Sequence, residues 1–221
     1  MPHVPVFQHA LGKWRPRWRG RIHGVAVAVT IPAGVILTLV TPRGLPRVAV
    51  FVYIASLLAL FSTSASYHLF TRTRRAQRTM RQLDHAMVYV LIAGTYTPVC
   101  LLALPRNIGI AFLIGIWCAA LIGIALKITW RAQKISGAMY LIIGWAALII
   151  LPWAYHRAGF TSLLLFALGG IVYTVGAVLF YLKRPQLRPL VFGYHEVWHV
   201  FTVVAVALQF AGVGVLIARV G

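Results

Sequence analysis

The stretch YHEVWHVFTVVAVALQFAGVGVLIA, residues 194–218, places two histidines, His195 and His199, at the mouth of an apolar run, 200–218. On a helix, a spacing of four stacks both imidazoles on one face, one turn apart. Nitrogens so placed can share one metal ion, with zinc the best match to imidazole ligands. The bland alternative is a pair of interfacial histidines that bind nothing. The run itself is long enough to span a membrane as a helix. Ionisable groups in such a helix are expensive, which marks His195, Glu196 and His199 as functional candidates.

The rest of the chain has the same character. Of 221 residues, 61% are hydrophobic, and the mean hydropathy is +0.85. That is too apolar for a soluble domain and fits a polytopic helical membrane protein. Asp84 and Glu196 are the only acids, against 21 Lys and Arg, for a formal charge of +19. The basic residues cluster in short segments between apolar runs, the pattern of topology-setting charge and anionic-lipid contact rather than of nucleic-acid binding. Cys100 and Cys118 lie inside apolar runs and read as reduced, packed residues, neither a disulfide nor a metal pair.

Seven apolar runs are long enough to span: 24–40, 48–70, 83–104, 108–126, 137–154, 161–182 and 194–218. Ahead of them, residues 1–23 form a basic arm in which Lys13, Arg15, Arg17, Arg19 and Arg21 alternate with Trp14 and Trp18. This composition suits a membrane surface. The domain division is therefore a basic arm, 1–23, and a seven-helix transmembrane domain, 24–221. Basic-rich and basic-poor connections alternate. The arm, Arg72 to Arg81, Lys127 to Lys134 and Lys183 to Arg188 are rich; Arg43 with Arg47, Arg106, Arg157 and Arg219 mark the poor ones. By the positive-inside rule the N-terminus is cytoplasmic and the C-terminus outside.

That topology brings scattered polar residues to one level. The second span runs inward and ends on Ser64 to His68; the third begins with Asp84; the seventh begins with His195 and His199. Hydropathy and arginine placement assign these positions, and neither uses the histidines. Three imidazoles with a water make an open, catalytic type of zinc site. Asp84 would hold or deprotonate that water, and Ser64 would orient His68 or stabilise an oxyanion. For Ser64 the competing reading is a hydroxyl bonded to a carbonyl one turn back; for Asp84 it is a carboxylate in the first turn of a helix.

Ser64-x-x-x-His68, Asp84 leading into Ala93-Gly94-Thr95-Tyr96-Thr97-Pro98, and His195-Glu196-Val197-Trp198-His199 resemble the hemolysin III family. That family is the bacterial branch of the progestin and adiponectin receptor superfamily, related to the alkaline ceramidases. The likeness runs from the first span to the seventh. It implies a seven-helix fold with a cytoplasmic N-terminus and zinc held by His68, His195 and His199, with Asp84 linked through water. It also implies a multi-pass protein of the cell membrane, the inner membrane of a bacterium. Relatives in the superfamily hydrolyse the amide of ceramide, others are hormone receptors, and the bacterial branch is labelled hemolysin or tied to membrane homeostasis.

The expected function is zinc-dependent hydrolysis of a lipid amide or ester, with membrane lipids as partners and an acyl chain entering between helices past Tyr67, Trp198 and Phe201. A non-enzymatic sensor, receptor or hemolysin-type protein is the alternative. The run 195–199 also fits the H-E-x-x-H pattern of a metalloprotease with Glu196 as base. Against that, no further acid or histidine follows His199, and His68 would have no role. Glu196 lies about 100° round the helix from His195 and reads as an ion-pair or dipole residue, with Arg188 nearby. His85 points to another face than Asp84. Thr95 to Thr97 precede Pro98 and read as support for a kink, with cavity lining as the functional alternative. His3, His9, His23 and His156 fall outside the runs and read as solvated.

Overall fold

The computed structural model describes residues 16–128, 133–188 and 190–220. They are helical throughout, with no strand among the described residues: α1 Arg21–Val40, α2 Leu45–Phe70, α3 Arg74–Ala103, α4 Arg106–Ile128, α5 Gln133–Trp145, α6 Ala147–Tyr181 and α7 Tyr194–Val220. Lys13, Trp14 and Arg15 of the basic arm lie outside the described residues.

Six stretches have the length and apolarity to cross a membrane: Arg21–Val40, Leu45–Phe70, Arg74–Ala103, Arg106–Ile128, Ala138–Tyr181 and Tyr194–Val220. Their outward faces carry exposed Val25, Val29, Ile36, Phe51, Ile114, Ile122 and Ile149. A helix apolar on both its inner and outer faces needs hydrocarbon outside as well as packing inside. α3 is the most buried of the six and the centre of the bundle. It packs against α2, α4, α5, α6 and α7, while α1 touches both α2 and α7 and so joins the two ends of the chain.

Two predicted boundaries are corrected. The third helix begins at Arg74, not at 83, because the Thr73 hydroxyl caps it by accepting from the Ala76 N–H at 3.1 Å. The segment expected as a basic loop is thus mostly helix, and Asp84 lies several turns inside α3. The expected loop 155–160 is reduced to a break at Gly159, a non-helical residue within α6, while Ala146, between α5 and α6, keeps helical φ and ψ. Gly159 has φ +75°, a conformation that glycine adopts without a Cβ clash, so the change of direction is made by one residue rather than by a loop.

Polar backbone freed at these breaks is tied across the bundle. α5 ends at Trp145, which leaves its last carbonyls without full helical partners. The Tyr96 hydroxyl of α3 lies 2.9 Å from the carbonyls of both Ile143 and Gly144 and donates to them. Ser162 of α6 donates to the Gly212 carbonyl of α7 at 2.8 Å. Replacing Tyr96 by Phe removes the first tie while keeping the ring. The expected loss is about 1 kcal/mol, the usual scale of such a bond in a membrane interior, seen as a lower melting midpoint of the purified protein in detergent; an unchanged midpoint would show the bond to be energetically idle.

Candidate metal centre

Two helices deliver the three imidazoles. His68 closes the buried face of α2, and His195 and His199 stand one turn apart at the start of α7. Their candidate ligand nitrogens all lie within 4.8 Å of one another. His195 Nε2 and His68 Nε2 are 3.2 Å apart. Two ligands of a tetrahedral zinc are separated by roughly 3.3 Å when each bond is about 2.0–2.1 Å, so this pair already has the right spacing. His199 Nε2 is buried and has no hydrogen-bond partner among the described residues. An unpartnered nitrogen in an apolar interior is costly, and a shared cation would satisfy it. The donor set fits a metal ion.

Buried polar atoms gather around this point. Asp84 of α3 meets the Ser64 side chain, and the buried Ser64 hydroxyl makes no hydrogen bond back to a carbonyl of its own helix, which excludes its bland reading. Tyr173 of α6 lies within electrostatic reach of the same carboxylate, and its buried hydroxyl has no hydrogen-bond partner among the described residues. Asp84 is thus flanked by two hydroxyls. Tyr173 lies in an apolar run that the sequence reading treated only as a span.

His23 corrects the sequence reading more sharply. It is 3% exposed, not solvated. α1 begins at Arg21, so its first turn reaches into the bundle. The His23 ring stands edge-on to His199, with centroids 3.9 Å apart and an interplanar angle of 83°, and Phe61 of α2 packs on it at 5.1 Å. Both of its ring nitrogens are 2.9 Å from His199 Nδ1. The topology argument applied to the other histidines would also have found it, since the first span, like the third and the seventh, was expected to begin on the cytoplasmic side.

Glu196 is an ion-pair residue, as expected, but its partner is Arg19 and not Arg188. Arg19 Nε donates to the fully buried carboxylate at 2.7 Å, and the Gly193 N–H donates to its other oxygen at 2.8 Å. Both oxygens are thus engaged in structure. The arm is held further by backbone bonds from Arg17 and Trp18 to the carbonyls of Leu190 and Val191. Between these contacts Gly20 lies against His68; a Cβ there would come within 2.7 Å of the His68 Cβ, and its φ of +84° also favours glycine. The segment 17–23 therefore closes this end of the site.

An apolar cavity of about 200 Å³ lies between α3, α5, α6 and α7. Tyr173 lines it, with Tyr96, Tyr140, Phe166, Trp145 and Leu148 among its walls. Leu148 and Trp145 are also exposed on the outer face, so the wall continues to the surface of the bundle. The expected aromatic walls are elsewhere: Tyr67 packs on His68, Trp198 on Tyr173 and Phe180, and Phe201 against Gly176. Thr95 and Tyr96 line the cavity, while Thr97 donates to the Ala93 carbonyl within α3. The His85 carbonyl accepts from Tyr140. Both cysteines are free, Cys100 buried and Cys118 on an exposed face rather than in the core.

The chain is 32% identical over 193 residues to the hemolysin-3 homolog of Bacillus subtilis (strain 168), covering 85% of this chain and 87% of that one. It is 33% identical over 193 residues to hemolysin-3 of Bacillus cereus, covering 85% of each. A more distant similarity, 25% over 194 residues, links it to the heptahelical transmembrane protein ADIPOR2 of Oryza sativa subsp. japonica, covering 79% of this chain and 84% of that one. The family model described as "Haemolysin-III related" matches residues 12–210, and this multi-pass membrane protein belongs to that family.

Proposed function

We propose that this chain is a seven-span membrane protein that hydrolyses a lipid amide or ester with the help of zinc held by His68, His195 and His199. The observation that carries the reading is the convergence of three imidazoles within 4.8 Å of one another, one with a buried nitrogen that has no partner among the described residues.

The seventh crossing comes from Ala138–Tyr181. At 44 residues it is about twice the length one crossing needs, and the break at Gly159 supplies the reversal. With basic residues marking the inner side, the N-terminus is cytoplasmic, the C-terminus is outside, and the histidines lie near the cytoplasmic face. The membrane is the cell membrane, the inner one in a bacterium with two. The basic loops would meet anionic lipid headgroups.

His68, His195 and His199 would hold the zinc, which would supply at one position a water whose pKa is lowered toward about 7. Around that position the chain's own groups have separate tasks. His68, His195 and His199 fix where the reacting water stands. Asp84 accepts the water's proton as general base. Ser64 and Tyr173, whose hydroxyls flank Asp84, donate to the oxygen on which charge develops when the carbonyl is attacked. The cavity takes the acyl chain from the bilayer, and Tyr173, which lines it and lies within electrostatic reach of Asp84, connects it to the carboxylate. Glu196 has no part in this chemistry, because Arg19 and Gly193 occupy both its oxygens; that argues against the H-E-x-x-H protease reading. A non-enzymatic sensor, with the same cavity binding a lipid that is not turned over, is the alternative reading.

Three outcomes test these statements. Reporter fusions placed after Arg81 and Arg188 should read as cytoplasmic, and those after Arg47, Arg157 and the C-terminus as external; a cytoplasmic C-terminus would mean that Ala138–Tyr181 crosses once. The purified protein should carry about one zinc by elemental analysis, His195→Ala and His199→Ala should lose most of it, and Glu196→Gln should keep it. Asp84→Asn should retain the metal but lose at least about a hundredfold in turnover, the scale of a general base, on a panel of lipid amides and esters. Absence of zinc-dependent turnover by fully loaded wild-type protein would leave the sensor reading in place of the enzyme.

A further inference from the structure

The His23 side chain has no role in the chemistry described above, yet it is among the most deeply buried polar groups of the bundle. It comes from α1, which supplies no metal ligand. The geometry points to His23 as the residue that sets the tautomer and orientation of His199: we propose that His199 Nδ1–H donates to a His23 ring nitrogen, which leaves His199 Nε2 bare and aimed at the metal. This inference rests on the metal reading.

The argument is one of proton placement. A neutral imidazole carries one N–H, and the nitrogen without it is the one that can bind a metal. His199 Nε2 is the nitrogen with no protein partner. Nδ1 is the nitrogen with a partner, 2.9 Å from either nitrogen of His23. The two requirements are met together only if the proton sits on Nδ1. His23 then serves as acceptor, the position that a carboxylate, carbonyl or water takes behind a metal-bound histidine in many sites. Here the chain has few acids to spend. Asp84 faces Ser64 and Tyr173, and Glu196 is held by Arg19. A neutral imidazole does the same work without placing another charge in the apolar interior.

The local packing supports a fixed acceptor. Phe61 holds the His23 ring on one side and His199 on another, and Gly20, one turn earlier, seats α1 directly against His68. The first turn of α1 thereby touches two of the three imidazole-bearing positions. His23 itself stands outside the three-histidine group, so it is a positioning residue and not a ligand.

The test is the zinc affinity of full-length protein purified in detergent, measured by competition with a chelator, together with X-ray absorption to count imidazole ligands. His23→Leu keeps bulk but no acceptor, and His23→Gln keeps an acceptor oxygen. The expected result is a loss of about 10- to 100-fold in affinity for His23→Leu, affinity near wild type for His23→Gln, and an unchanged imidazole count in every metal-loaded form. Wild-type affinity in His23→Leu would overturn the role, as would equal losses in both variants, which would mean that the ring only packs. One imidazole fewer in loaded His23→Leu would make His23 a ligand and overturn it differently. If wild-type protein takes up no metal, the metal reading falls first and this inference with it. A metal-binding wild type with an unaffected His23→Leu sinks the role of His23 alone.

Discussion

An apolar bundle has no water with which to satisfy a polar side chain, so every buried imidazole, hydroxyl and carboxylate must be answered by another group of the protein or by something bound. At one end of this bundle that requirement falls on His23, His68, Ser64, Asp84, His195, Glu196 and His199 together. Glu196 is answered by Arg19 and the Gly193 N–H, and His199 Nδ1 by His23. What is left over among the described residues is His199 Nε2 and the hydroxyls of Ser64 and Tyr173, the last two meeting at Asp84. The helix packing follows from the same need. α1 has to reach α7 for Arg19 and His23 to find their partners, and α3 has to occupy the centre for Asp84 to face both α2 and α6.

Much of this was legible from sequence because it depends on quantities that sequence states directly. Span length and apolarity located the helices, and the four-residue step from His195 to His199 fixed their shared face. The pairing of His68 with that face followed from depth alone, with no contact information. The errors have equally specific causes. The third helix was started late because hydropathy does not register an amphipathic, arginine-bearing extension, although Thr73 is a good capping residue. A loop was expected at 155–160 because Arg157 and His156 are polar, whereas a single glycine makes the break.

His23 was set aside for a related reason. It lies at the edge of an apolar run, where sequence cannot distinguish a residue facing water from one turned inward by the packing of a neighbour. Its burial depends on Gly20, whose positive φ brings the chain against His68. Arg19 was missed as the partner of Glu196 because the two are 177 positions apart; the nearer Arg188 was the natural choice on sequence distance. The cavity could not be read at all, since it depends on how α3, α5, α6 and α7 pack together.

The joining of α1 to α7 has a consequence for the order in which the protein is made. The chain leaves the ribosome with α1 first and α7 last, and it carries His23 and Arg19 at one end and His195, Glu196 and His199 at the other. Until the final helix has entered the bilayer, His68 stands without its two companions and Arg19 without its carboxylate. The three-histidine group therefore cannot exist on a chain that ends before α7. Insertion of α7 is the event that creates it.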